Sequence, residues 1–201
     1  MAQRNSTCGL AILLAISAGT AHAQANDERA RKIIGGSCFL CHGAEGESAS
    51  EGFPRLAGQN ADYIAKQLAN FKSGQRKSTA MASMVSALSP EDMQALGHFY
   101  ASRPPHQEAP KDAALAAAGR ELYHRGNQHR GVPACASCHG PDAAGSALLP
   151  RLAGQFAGYT QTQLKQFSLR ERTNDNAVMH SVAEKMTAQD MAAVAEYLSG
   201  K

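Results

Sequence analysis

Apolar residues recur at helical spacing in two stretches that copy one another. Ile64, Leu68 and Phe71 fall at i, i+4 and i+7, and the segment from Tyr159 to Phe167 keeps the same stripe. Later in each copy the start of a further helix can be read directly. Ser89 supplies an N-cap, Pro90 the first helical position and Asp92 the acidic member of a capping box, ahead of an apolar face of Met93, Leu96 and Tyr100. Thr187 and Asp190 repeat that cap, and Met191, Val194 and Leu198 repeat that face. Leading helices are expected near Asn26 to Ile34 and Asp112 to Tyr123. No segment alternates apolar with polar positions or is enriched in β-branched residues, so the expected fold is all-α.

The two copies share more than periodicity. Pro54-Arg55-Leu56-Ala57-Gly58-Gln59 recurs identically as Pro150-Arg151-Leu152-Ala153-Gly154-Gln155. Each is followed by a tyrosine (Tyr63, Tyr159), a Gln-Leu pair (Gln67-Leu68, Gln163-Leu164) and a phenylalanine (Phe71, Phe167). A period of about 97 residues is too long for a solenoid unit and suits a duplicated small domain. The division expected is residues 24–101 and 112–201, joined by a stiff, extended linker over 102–111 that carries Pro104, Pro105 and Pro110. One asymmetry stands out: Gly119 lets the terminal helix of the second domain approach closely, whereas the matching stretch around Arg31 has no glycine and is left with Ala30.

Composition narrows the setting. Arg4, the short apolar run from Leu10 to Ile16 and the small-x-small site Ala21-His22-Ala23 read as a secretory signal peptide over residues 1–23, cut after Ala23. That run is shorter than the roughly 20 residues needed to cross a bilayer, so the mature chain is expected to be exported to the periplasm. Cys8 precedes the apolar run and is given no role. The formal net charge is only +3 and is spread over both halves, which excludes the concentrated basic face of a nucleic-acid binder. Aromatic residues make up 5% of the chain and Trp is absent. A domain of about 80 residues with so little bulk is marginal by surface-to-volume scaling, and an enclosed prosthetic group would complete its core.

The remaining four cysteines identify that group. They form Cys38-Phe39-Leu40-Cys41-His42 and Cys135-Ala136-Ser137-Cys138-His139, and Cys-x-x-Cys-His is a covalent haem attachment motif. Two thiols three positions apart bond the two vinyl groups of one haem, and the next residue brings an imidazole to the iron. Two motifs therefore imply two haem c groups, with Cys38, Cys41, Cys135 and Cys138 as attachment points and His42 and His139 as axial ligands. Counting back seven positions from Leu88 and Met186, which precede the two caps, gives Met81 and Met179 as the second axial ligands. Met84 has no such counterpart, since Val182 matches it, while Met93, Met186 and Met191 fit core filling. A thioether favours ferrous iron and fills the coordination sphere, so such a centre moves electrons and leaves no site for a substrate. The Pro54 and Pro150 carbonyls are candidate acceptors for the ligand imidazoles. Arg55 and Arg151 suit either haem propionates or a solvated surface.

This pattern, with Arg130-Gly131-Val132-Pro133-Ala134 leading into the second motif, resembles the dihaem cytochromes c4 over nearly the whole mature chain. The resemblance implies two tandem class I cytochrome c folds with their haem edges facing across an interface. It also implies an electron carrier rather than an enzyme, periplasmic and loosely membrane-associated, with a terminal oxidase, a quinol-cytochrome c reductase or a dehydrogenase as redox partners. An alternative keeps the haems and makes the chain an electron-transfer subunit of a dehydrogenase. Less favoured is a dihaem enzyme of peroxidase or thiosulfate-oxidising type, which needs an open or displaceable iron ligand; His180 beside Met179 is the one candidate, and it is taken as a surface residue. A four-thiolate zinc site or a thioredoxin-like motif would leave the histidines and the duplication unexplained. His124 and His129 are read as solvated loop residues, and His98 and His106 as having no partner.

Overall fold

The computed structural model describes residues 24–201, so the expected signal peptide lies outside the described residues. In the first half, α1 (residues 24–33) runs into a π-helical turn, Ile34–Cys38, and a one-turn helix, Phe39–His42. Then come α2 (Ala61–Ser73), α3 (Thr79–Val85) and α4 (Pro90–Ala101). The second half repeats the order with α5 (Ala113–Arg125), the one-turn helix Ala136–His139, α6 (Ala157–Ser168), α7 (Val178–Ala183) and α8 (Ala188–Ser199). The fold is all-α: among the described residues there is no strand, only an isolated bridge between Asn127 and Val132. No helix of the described residues is long and apolar enough to cross a membrane.

Local chemistry sets the helix ends. Both terminal helices carry complete capping boxes: the Ser89 hydroxyl accepts from Asp92 N at 3.2 Å while Asp92 accepts from Ser89 N at 2.8 Å. Thr187 and Asp190 do the same at 3.1 and 2.7 Å. At the other end of α2, the chain turns at Gly74 in the left-handed region, where a side chain would be strained.

Buried apolar residues form two separate clusters. One draws on Ala30, Ile34, Ile64, Val85, Met93, Leu96, Phe99 and Tyr100, the other on Leu122, Tyr123, Leu164, Phe167, Met186, Met191, Val194 and Leu198. α5 meets α8 at Gly119, where an added Cβ would collide with the Ala193 carbonyl and the Tyr197 side chain. The first half has no such glycine in α1 and buries Ala30 completely; its close approach lies instead where Gly97 of α4 meets the Ala61 carbonyl of α2.

Residues 104–110 form no regular element, yet they are pressed onto both halves. Pro105 covers Gly58, the His106 carbonyl lies against Gly154, and Pro110 lies against Gly200. The two glycines of the repeated hexapeptide, Gly58 and Gly154, have φ of +71° and +77°. Only glycine combines that backbone with so close a neighbour.

Candidate haem centres

Each attachment motif sits on a helical turn, where residues three apart share a side. Cys38 ends the π-helical turn, Cys41 and His42 follow on the one-turn helix, and Cys135, Cys138 and His139 are arranged in the same way. None of the four cysteines is in a disulfide. The two imidazoles are buried, and each is pinned through Nδ1: His42 to the Pro54 carbonyl at 3.0 Å and His139 to the Pro150 carbonyl at 3.3 Å. A carbonyl only accepts, so Nδ1 carries the proton and Nε2 keeps its lone pair. Burial holds both rings below the usual histidine pKa, partly opposed by the proline carbonyls. These are neutral imidazoles with an oriented, unused nitrogen, the state a metal ligand requires.

Met81 and Met179 occupy matching places. Met81 lies in the first turn of α3, where its backbone N–H donates to the Ser78 cap at 3.3 Å. Met179 lies in the first turn of α7, where Asp175 accepts from Met179 N at 2.6 Å and from His180 N at 3.1 Å. Each methionine packs half-buried on the cluster of its own half, as do Cys38 and Leu56 in one and Cys135 and Leu152 in the other. Met84 is 48% exposed, whereas Met93, Met186 and Met191 are 5–8% exposed and belong to the cores.

The repeated hexapeptide ties these centres to the boundary between halves. Its proline holds the ligand histidine, its leucine packs against the core cluster of its own half, and its glycine N–H donates to the end of the terminal helix: Gly58 to Tyr100 O and Gly154 to Leu198 O, each at 2.9 Å. Its glutamine reaches into the other half. Gln59 accepts from Arg151 N at 2.7 Å and donates to Arg151 O at 2.9 Å. Gln155 makes the same pair with Arg55 N and O, both at 3.0 Å. A second pseudo-symmetric set follows: Arg76 donates to Tyr159 and Gln163, and Arg172 to Tyr63 and Gln67, at 2.9–3.1 Å. Each guanidinium also stacks on a ring of its own half, Arg76 on Phe71 at 4.6 Å and Arg172 on Phe167 at 4.5 Å. The seam is thus isologous in the manner of a two-fold dimer.

Comparison with known proteins decides the family. Residues 116–200 match the Cytochrome c family model, and residues 25–99 match that of cytochrome c oxidase, cbb3-type, subunit III. Cytochrome c4 of Azotobacter vinelandii is 38% identical over 195 residues, covering 90% of this chain and 92% of that protein. A thiosulfate dehydrogenase electron acceptor of Thiomonas intermedia (strain K12) is 39% identical, covering 82% of this chain and 78% of that protein. The crystal structure of reduced recombinant cytochrome c4 from Pseudomonas stutzeri superposes with a TM-score of 0.81 at 34% identity, covering 89% of this chain and 97% of that one. The chain belongs to the cytochrome c4 family.

As a cytochrome c4 the chain carries two covalently bound haem c groups and belongs among dihaem electron carriers. Its residues fit that cofactor: each half has two cysteines in no disulfide, an imidazole with an unused Nε2, a half-buried thioether and further apolar side chains only partly buried against the core. The thiol pairs lie in separate halves, and no three His, Cys, Asp or Glu side chains converge among the described residues, which removes the four-thiolate zinc geometry.

Three histidine expectations need correction, and of the two alternatives left open for Arg55 the solvated one falls. Arg55 is not solvated; it is 8% exposed, donates to Gly154 O at 2.8 Å and stacks 3.8 Å above Phe156 across the seam. His180 is not a surface residue: its side chain is 12% exposed, with Nδ1 3.0 Å or less from Phe167 O and Nε2 facing Arg170 and Glu184. Both ring nitrogens are engaged by these partners. His106 has a partner, Glu108, at 3.0 Å. His124 lies on α5, not in a loop, and pairs with the Tyr197 hydroxyl at 3.0 Å.

Proposed function

We propose that this cytochrome c4 is an exported, periplasmic one-electron carrier that delivers electrons to a terminal oxidase. The domains would be residues 24–101 and 112–201, joined by 102–111 and preceded by a signal peptide over 1–23. Cys38 and Cys41 would bond one haem and Cys135 and Cys138 the other, with His42/Met81 and His139/Met179 as axial pairs. The observation that carries this reading is the doubled one: a pinned neutral imidazole and a matching half-buried thioether in each half.

Haem c bound in this way supplies a reversible Fe(III)/Fe(II) couple. The protein does the rest. The proline carbonyls fix ring orientation and keep the ligand nitrogen basic. His42 with Met81 and His139 with Met179 would hold the two irons from imidazole and thioether, a ligand pair that would favour electron transfer over substrate chemistry. The glutamine clasp fixes one half against the other, so that the distance between centres is set by the seam rather than by linker motion. Partners have apolar footholds at each half, Phe39, Leu40 and Met84 in the first and Val178 and Leu169 in the second, all at least 43% exposed.

A second reading has its own support. The similarity to a thiosulfate dehydrogenase electron acceptor favours a carrier that takes electrons from a dehydrogenase. The two readings are separated by stopped-flow mixing. The reduced protein with terminal-oxidase membranes, and the oxidised protein with a thiosulfate dehydrogenase and thiosulfate, are each followed at the haem absorption. Rapid oxidation in the first mixture supports delivery to an oxidase. Reduction in the second with an inert first mixture assigns the dehydrogenase role instead.

A further inference from the structure

The bond that pins each ligand histidine and the bond that receives each glutamine arm fall on one peptide group. Pro54 O accepts from His42 Nδ1 at 3.0 Å, and the N–H of the same peptide unit, on Arg55, donates to Gln155 Oε1 at 3.0 Å. In the second half Pro150 O accepts from His139 Nδ1 at 3.3 Å, and the N–H of that unit, on Arg151, donates to Gln59 Oε1 at 2.7 Å. Each imidazole is thus separated by a single peptide group from a side-chain amide of the opposite half. The way each amide faces is fixed by its partners, since a backbone N–H only donates and a carbonyl only accepts. Gln59 Nε2 donates to Arg151 O at 2.9 Å and Gln155 Nε2 to Arg55 O at 3.0 Å. Each Oε1 is also anchored within its own half, by Asn60 N for Gln59 and by Phe156 N for Gln155, both at 3.0 Å. Both glutamines are buried, which keeps water from replacing them as acceptors.

Resonance links the two ends of a peptide group. An acceptor on its N–H moves electron density toward its carbonyl oxygen, which then accepts more strongly from the next donor; hydrogen bonds in a chain polarise one another in this way, more so in a low local dielectric. A stronger bond at Nδ1 makes an imidazole a better electron donor to a metal, and that stabilises Fe(III) relative to Fe(II). We propose that Gln59 tunes the centre ligated by His139 and Gln155 the centre ligated by His42, each as a positioning residue acting across the seam through the Pro-Arg peptide group of the other half. The inference rests on the reading of His42 and His139 as axial ligands. It gives the repeated glutamine a task beyond joining the halves: the potential of each centre depends on the other half being docked. A half whose partner is displaced loses the acceptor behind its own proline carbonyl.

The test uses the haem-loaded full chain and two readouts: the Nδ1–H proton resonances of His42 and His139 in the reduced, diamagnetic protein, and the two potentials from a redox titration followed by NMR, which assigns each to its half. Gln59→Met keeps the length of the side chain and removes its bonds. It is expected to move the His139 proton upfield, the direction of a weakened hydrogen bond, and to raise the potential of the His139 centre while the His42 proton stays in place. Gln155→Met is expected to do the reverse. Gln59→Asn, a milder change that keeps an amide but draws it back from Arg151, should give the same crossed shift if the Met variant does not fold. Gln59→Glu retains an oxygen for the Arg151 N–H and should leave the His139 proton at or downfield of its wild-type position. A shift confined to the histidine of the substituted half, equal shifts at both histidines, or no shift at either overturns the inference, the first two assigning the glutamines a merely structural role. Failure of the axial-ligand reading is separate: it would show in the wild type, as histidine ring protons without the upfield shift that a haem ring current imposes, before any glutamine is changed.

Discussion

Replacing Gln59 by Ala removes one arm of the clasp across the seam. The side chain is 8% exposed and satisfies Arg151 N–H and C=O from the opposite half as well as Asn60 N–H in its own. Leaving a buried polar group unsatisfied costs about 1–3 kcal/mol, and two such groups lie in the seam; with water entering the space of the lost amide, a total of about 2–4 kcal/mol is expected. For a chain of this length, each kcal/mol lowers Tm by roughly 2–4 °C, so the midpoint should fall by roughly 4–16 °C. Thermal unfolding of the haem-loaded protein by circular dichroism measures this. Gln155→Ala should cost a similar amount, because its bonds to Arg55 are the mirror of the first set. The double variant should cost less than the sum, since a seam opened by the first change has less to lose from the second. Unchanged Tm in Gln59→Ala, or strict additivity of the pair, would refute the clasp.

Further outcomes follow from single sites. Gly119→Val drives a side chain into the Ala193 carbonyl and Tyr197 and should destabilise by about 1–3 kcal/mol or more, read as a lower urea midpoint. Met81→Ala should abolish the low-spin thioether-ligated signature at one centre while Met84→Ala, at an exposed position, leaves both spectra intact; magnetic circular dichroism distinguishes them. Asp92 is held below the usual carboxylate range first by the Arg29 guanidinium and then by the Ser89 N–H. Its stabilising contribution is therefore present above the unfolded value of about 3.9 and lost as pH falls through the folded value. The stability gap between wild type and Asp92→Asn should be full at neutral pH and close in acid, as urea titrations across that range would record.

Much of this architecture can be read from residues near one another in sequence. The capping boxes at Ser89 and Thr187, the core faces of α4 and α8 and the proline acceptors for His42 and His139 all depend on local spacing. The role of Gly119 was also legible, because a glycine inside a helical apolar pattern signals close approach. The seam was not. Gln59 and Arg151 are 92 positions apart, and a polar side chain serving a distant backbone leaves no periodic trace. The available signal was the identical hexapeptide: its proline, leucine and glycine have tasks within each half, but nothing within a half explains why arginine and glutamine should recur with them. Arg76 and Arg172 were missed for the same reason, as their phenylalanine and tyrosine partners read as ordinary helix faces. The error at His180 arose from tertiary packing. His180 is fixed by Phe167 O thirteen residues away, a contact made by the packing of α7 on α6.

The central claim is that each half encloses one haem c ligated by its histidine and its matching methionine, forming two closed, electron-transferring centres. Spectroelectrochemical titration of the mature, haem-loaded protein tests it most directly, with both irons followed through oxidation and reduction. The account predicts two low-spin c-type centres at positive potential, unaffected by peroxide or sulfur compounds. A high-spin or strongly negative centre would contradict it, showing that Met81 or Met179 does not bind iron and that one centre is open to substrate.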